Sequence, residues 1–219
     1  MIARCVAEDT LFPDWDSSRV FWNRFGSLAQ EHEVSIGHIC LMRTHYHLLV
    51  RAQPEALAKL LQLTHGKLAW HRNRDGQRRG TLFGRRYDVI PIESARHLLS
   101  VARYIPLNPV KAKAVADPRG WHWSTHRFLA GHVRPPDWYD VKAALRMVSF
   151  FDSRSYERWV LSETPLELPP MTQRELMDFR ICELADYGMG KEEIAAVLHL
   201  GARRVRNVIG ASALRSVAA

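Results

Sequence analysis

No stretch of the 219 residues approaches the roughly 18 consecutive apolar positions that a membrane-spanning helix requires. The opening residues, "MIARCVAEDT", lack a basic region followed by a long apolar block, so no secretory signal is expected. Cysteine is scarce. Cys5, Cys40 and Cys182 lie far apart with no CxxC pair, which argues against a disulfide scaffold. Cys5 and Cys40 sit in strand-like runs and are expected to be reduced packing residues of a cytoplasmic protein. There is no P-loop, so nucleotide hydrolysis is not expected to drive the chemistry. Acids are also under-represented: 23 Asp and Glu stand against 31 Lys and Arg, a net charge of +8. An excess of that size points to a polyanionic partner. The hydrophobic share of 47% is that of a globular protein, and the length allows one core or a core with a small appendage.

The positive charge is concentrated. Residues 67–87, "KLAWHRNRDGQRRGTLFGRRY", hold Lys67, Arg72, Arg74, Arg78, Arg79, Arg85 and Arg86 against the single acid Asp75. Trp70, Phe83 and Tyr87 are interleaved with these cations. Charge neutralisation combined with base stacking is what single-stranded nucleic acid requires. A solvated basic loop is the alternative reading.

Hydrophobic periodicity lays out the chain. Residues 2–7 read as a strand. Residues 17–32 read as a helix with Phe21, Phe25 and Leu28 on one face and Ser17 or Ser18 as N-cap. Residues 34–42 and 45–51 read as two strands joined tightly at Arg43-Thr44. A helix follows from Pro54, with Leu57, Leu60, Leu61, Thr64 and Leu68 as its buried stripe. "YDVIPIE", 87–93, alternates like a strand, and a helix begins near Ser94. The order β-α-β-β-α-β-α predicts an α+β domain with a ferredoxin-like antiparallel sheet. Short helices are expected at 139–147 and 153–162, beyond an aromatic, proline-rich wrap. "SETPLELPP" reads as a linker. Residues 171–209 read as three helices, the last two joined at Leu200-Gly201 like a helix-turn-helix, with Arg203, Arg204, Arg206 and Asn207 on or near the second. An ordinary helical bundle is the alternative there. The expected division is 1–131, 132–170 and 171–219.

The chemistry-bearing motif is "MRTHYHLLV", 42–50. On a strand, side chains alternate, so His45 and His47 share one face. That pair is either half of a metal site or two polar positions on a half-solvated strand. His38, on the neighbouring strand, is expected to be a hydrogen-bonded sheet histidine. His65 and His71 are expected to face DNA or solvent, and neither His122 nor His126 is expected to be a ligand. The second motif is "RYIPLNPVKA", 103–112, where Tyr104 and Asn108 lie one helical turn apart on a common face.

Taken together, the His-Tyr-His strand, the Tyr-x-x-x-Asn helix, "GTLFGRRY" at 80–87 and "WHWSTHRF" at 121–128 resemble the HUH single-tyrosine transposases. They resemble specifically the REP-associated tyrosine transposase type, over about residues 2–130. The resemblance implies an enzyme that cuts and rejoins single-stranded DNA at palindromic hairpins. It implies Tyr104 as nucleophile, a 5′-phosphotyrosine intermediate, and a divalent Mg or Mn ion at His45, His47 and Asn108. It further implies DNA contacts from the basic residues named above and from Tyr87, action as a monomer or homodimer, and a cytoplasmic, nucleoid-associated location without membrane. A domesticated relative that binds repeat DNA without cutting it is the alternative. Four residues depart from the family pattern: Arg43-Thr44 replaces Pro-Asn, Gly84 stands where Gln is frequent, and Pro106 is the fourth. Pro106 stands inside the tyrosine helix, the condition for a kink between Tyr104 and Asn108 at a cost of about 3 kcal/mol.

Overall fold

The computed structural model describes residues 2–4, 10–74, 80–83, 87, 89–92, 94–162, 181 and 189–215, with the backbone alone described for 2–4 and 210–215. The chain divides into two compact units, residues 1–87 with 92–166 and residues 88–91 with 167–219.

The first unit is built on a three-stranded antiparallel sheet. Strands β1 (Ile2–Arg4), β2 (Ser35–Leu41) and β3 (His45–Arg51) lie in the order β1-β3-β2. Helix α1 (Trp15–Glu31) makes the crossover from β1 to β2, leaving β3 to insert between them. Helix α2 (Pro54–Asn73) follows β3. This is the first half of the expected α+β topology. The hairpin is tight because the Met42 amide donates to the His45 carbonyl at 2.8 Å, leaving Arg43 and Thr44 as the turn. Asp14, not Ser17 or Ser18, caps α1: its carboxylate accepts from the Ser17 amide at 2.7 Å. A carboxylate at that position also favours the positive end of the helix.

Strand alternation fixes which helix meets which face. Tyr46, Leu48, Ile39 and Leu41 lie on one side of the sheet, by register and parity. There α1 and α2 pack, with the Phe21 ring 4.6 Å from Tyr46. The buried positions of α2 are Leu57, Leu60, Leu61, Thr64 and Leu68, the full expected stripe. His45, His47, Leu49, Cys40 and His38 lie on the opposite side. That side is met by α3 (Ala95–Lys111), which contacts both β2 and β3.

The expected strand at 87–93 is not formed by the residues described there: Tyr87 and 89–92 have no strand pairing. Pro91 has no amide hydrogen to give to a ladder, and the adjacent Val89 and Ile90 are both about half exposed, so no face of the run is buried. The outer edge of β2 is instead covered by residues 121–125. The Leu41 amide donates to the Trp123 carbonyl at 2.9 Å and the Thr125 amide to Ile39 at 3.0 Å. The Trp121 indole N–H reaches the Leu41 carbonyl at 2.8 Å. This cover closes an otherwise open strand edge.

Beyond it come α4 (His126–Leu129), α5 (Val141–Met147) and α6 (Ser153–Leu161). They bury Tyr139, whose hydroxyl donates to the Gly37 carbonyl at 2.7 Å, and Tyr156. Trp138 seats directly on Gly26 of α1, where an added Cβ would lie 2.2 Å from the indole. Gly26→Ala is therefore expected to destabilise the unit by about 1–3 kcal/mol through overpacking. A urea midpoint equal to that of the parent would show that Trp138 yields freely.

In the second unit, α7 (Lys191–Val197) and α8 (Ala202–Arg215) are joined through His199, at a φ of +53°, and Gly201. Glu193 begins α7 by accepting from the Gly190 amide at 3.4 Å. Ile181, Ile194, Ala195 and Val205 form the small core. The expected helix that would precede α7 lies outside the described residues except at Ile181, which is helical.

Candidate functional site

The strand period places the two imidazoles of His45 and His47 side by side, and their Nε2 atoms converge to 3.0 Å. The rings stand perpendicular with centroids 4.7 Å apart. The His45 Nδ1 lies 3.0 Å from the Thr44 hydroxyl, so the turn residue orients the ring. Both histidines are buried. The strand face that carries them is therefore not half-solvated at these positions.

Helix α3 delivers the tyrosine. Ser94 caps it, its hydroxyl accepting from the His97 amide at 3.1 Å. The ring of Tyr104 stands edge-on to His47, with centroids 5.5 Å apart. One turn on, the side chain of Asn108 is fully buried, and neither its oxygen nor its nitrogen has a hydrogen-bond partner among the described residues. A buried amide left unsatisfied costs about 1–3 kcal/mol, and such a group calls for an ion or water to complete it. Pro106 does not break the helix: α3 runs as one helix through Pro106 and Pro109. The lost bonds to Ala102 and Ile105 are offset by burial of both of those residues together with the two prolines.

The residues fit a divalent ion. Two nitrogens bound at right angles, each about 2.1 Å from a metal, are separated by about 3 Å, which is the spacing found. Two imidazoles and one amide oxygen make a neutral set, suited to Mn²⁺ and compatible with Mg²⁺. Among the described residues no group of three or more His, Cys, Asp or Glu could hold a metal.

Lys111 was not singled out by the sequence reading. Its ammonium lies 4.7 Å from the centre of the Tyr104 ring. The signal was present, since position i+7 returns to the same helical face as i and i+4. The exposed cation sets positive charge beside the tyrosine.

Other expected residues fall elsewhere. Lys67 and Arg72 belong to α2 and Arg74 is its C-cap, so the basic stretch opens on a helix rather than a loop. Arg72 donates to the Thr10 carbonyl at 3.2 Å. Tyr87 is half-buried with its ring 6.4 Å from His65, and it does not lie in a strand. Arg78, Arg79, Arg85 and Arg86 lie outside the described residues. Arg203, Arg204, Arg206 and Asn207 are all exposed on α8 of the second unit.

His65 does not face solvent as expected. It bonds the Tyr46 hydroxyl at 2.5 Å and stacks on Phe83 at 3.9 Å. It thereby ties β3, between its two histidines, to α2 and the segment after it. Nor is His38 satisfied: it is fully buried and neither ring nitrogen has a hydrogen-bond partner among the described residues. Burial holds His38 at about 3, with His126 adding repulsion, and holds His126 at about 4, where its Nδ1 meets the Tyr156 hydroxyl at 3.0 Å. Free imidazole titrates near 6.5, so between 6.5 and about 4 the unfolded chain binds more protons than the folded one. Stability is therefore complete above about pH 6.5 and falls as the pH drops below it. At pH 5 the expected loss is on the order of 2 kcal/mol per imidazole. Urea midpoints at pH 7 and pH 5 check this, and the difference should shrink in His126→Gln.

No helix among the described residues is long and apolar enough to cross a membrane. The family model for IS200-like transposases matches residues 2–108, a span that includes His45, His47, Tyr104 and Asn108. No curated protein and no solved structure matches the chain.

Proposed function

Residues 2–108 belong to the IS200-like transposase family, and from that premise we propose that the protein cleaves and rejoins single-stranded DNA at palindromic hairpins, in the manner of the REP-associated type. The observation that carries the proposal is the convergence of the His45 and His47 Nε2 atoms at 3.0 Å with the Tyr104 ring set against His47. His45, His47 and Asn108 would hold Mg²⁺ or Mn²⁺. Such an ion supplies positive charge against the anionic phosphoryl oxygens, which otherwise repel a nucleophile.

Tyr104 is the nucleophile. As its Oη bonds to phosphorus, the phenol proton passes to solvent and the bond from phosphorus to the 3′ oxygen breaks. That oxygen leaves as a free 3′-OH, and the 5′-phosphate stays on the tyrosine. Reversal by the 3′-OH of another end rejoins the strands with no outside energy source, because the phosphodiester energy is kept in the covalent link. His47 holds the tyrosine ring edge-on, and burial of both histidines excludes competing water. Lys111 offsets negative charge on the phenol oxygen and the phosphate.

In this reading residues 1–131 are the catalytic domain, 132–170 a wrap and linker, and 171–219 a helix-turn-helix-like domain. Arg203, Arg204, Arg206 and Asn207 of the last would contact DNA, as would Lys67, Arg72 and Arg74. The protein would act at the nucleoid, as a monomer or homodimer. That α3 continues as one helix through Pro106 supports this reading over a catalytically silent protein.

The test is incubation of the full chain with labelled single-stranded oligonucleotides carrying the repeats beside its own gene, with Mn²⁺ or Mg²⁺, followed by a denaturing protein gel. A covalent band is expected. Tight, salt-sensitive binding without any band would mean DNA recognition alone.

A further inference from the structure

Arg103 stands directly before Tyr104 on α3 and is only 6% exposed. Burying a guanidinium is costly unless its donors are met. Here the end of a different helix meets them. The Nε donates to the Val160 carbonyl at 3.3 Å, and Nη2 donates to the Ser162 carbonyl. Val160 lies in the last turn of α6, and Ser162 is its C-cap. Carbonyls at that end of a helix lack partners within it, and a cation beside them suits the negative end of the helix dipole. The Trp159 carbonyl of the same turn is taken by the Ser162 hydroxyl at 2.8 Å. The anchor is firm. Tyr156 and Val160 are buried in the main core, and the Tyr156 hydroxyl meets His126 Nδ1 at 3.0 Å, next to the segment that closes the β2 edge.

The brace falls where α3 needs one. Pro106 has no amide hydrogen for the Ala102 carbonyl, and Pro109 has none for the Ile105 carbonyl. Tyr104 lies between these two missing rungs. The helix's own ladder is therefore thinnest around the tyrosine, and the roll of that turn about the helix axis depends on outside contacts. A roll of about 10° moves an atom about 8 Å from the axis by about 1.4 Å. A displacement of about 1 Å at a reacting atom costs on the order of a hundredfold in rate.

We infer that Arg103 is a positioning residue: by holding the end of α6 it fixes the roll of α3 and keeps the Tyr104 ring edge-on to His47. The inference rests on the reading of Tyr104 as nucleophile. It makes α6, which lies beyond the family match at 2–108, a part on which the chemistry depends. Because Arg103 is buried, its guanidinium is not open to a phosphate. Its loss therefore acts on the rate of the chemical step and not on DNA affinity.

The test compares the full-length protein with Arg103→Gln, Arg103→Lys and Gly26→Ala. The last is a destabilised control whose change lies on α1, against Trp138. All carry 3-fluorotyrosine, and the Tyr104 resonance is identified by its absence in Tyr104→Phe. Two quantities are read at a temperature where circular dichroism shows the proteins folded: the single-turnover rate of adduct formation on a saturating hairpin oligonucleotide with Mn²⁺, and the affinity for that oligonucleotide. In Arg103→Gln the rate is expected to fall at least about tenfold while affinity stays within about twofold. The Tyr104 fluorine line is expected to shift or split in the DNA-free, metal-free protein. Arg103→Lys, which keeps the charge and reaches one carbonyl, is expected to recover part of the rate, and Gly26→Ala to match the parent in rate and fluorine line. Should Arg103→Gln fail to fold, Arg103→Lys is read against the parent, with a lower rate and a moved line expected. An unchanged rate and line would overturn the inference, and so would a loss confined to DNA affinity or an equal rate loss in Gly26→Ala. A parent that formed no adduct would sink the cleavage reading, while the fluorine line would still decide whether Arg103 positions Tyr104.

Discussion

Tyr104→Phe is expected to lower covalent adduct formation by at least about a thousandfold while the protein stays folded and still binds DNA. The substitution removes one oxygen from a half-buried ring. The ring contacts with His47 and Lys111 do not need that oxygen, and the expected stability change is no more than about 1–2 kcal/mol, the range for losing one hydrogen bond. Strand cleavage without a covalent product should vanish along with the adduct, because no other group is assigned to attack phosphorus. Cleavage that persisted in the variant would place the chemistry in a metal-dependent hydrolase that uses the same two histidines with water.

The second large effect is at the strand. Replacing His45 and His47 together by Gln is expected to remove divalent-ion binding and to reduce cleavage by at least about a hundredfold. Activity alone would be ambiguous, because both side chains are buried and a folding defect would also silence the protein. The cleaner reading is linkage. An ion present at a hundred times its dissociation constant stabilises the native state by about 2.7 kcal/mol. Mn²⁺ should therefore raise the melting temperature of the parent and leave the double variant unmoved. Asn108→Ala should fall between them. Its amide has no other partner among the described residues, so the change relieves a buried unsatisfied group even as it removes a ligand. An Asn108→Ala protein that melted higher without metal and responded less to Mn²⁺ would show both effects in one experiment.

Much of this was legible in the residues because it depends on local period. The hairpin is set by alternation on either side of a two-residue turn, and β3 begins at His45 as read. Pro54 at the start of α2 and the five-residue stripe behind it follow from helical spacing. The pairing of Tyr104 with Asn108 on one face is likewise a matter of period. What was not legible is tertiary. The run at 87–93 has the alternation of a strand, but Pro91 lacks a donor and Val89 and Ile90 find no surface to cover them. The edge of β2 is closed by 121–125 through backbone bonds and one indole N–H across 80 residues, which no local pattern announces. Pro106 reads as the site of a kink, and α3 nevertheless continues as one helix through it, packed on the sheet. His38 and His65 looked like surface or sheet histidines because a single side chain carries no sign of what will be folded over it.

The most direct measurement is the chemical location of the covalent link. The full chain would be incubated with a single-stranded hairpin oligonucleotide and Mn²⁺, digested with protease and nuclease, and mapped by tandem mass spectrometry. The account predicts one modified peptide, carrying a nucleotide through its 5′-phosphate on Tyr104, with the released DNA ending in a 3′-OH. A phosphate found on Tyr87 or any other residue, or cut DNA with no modified peptide, would contradict it.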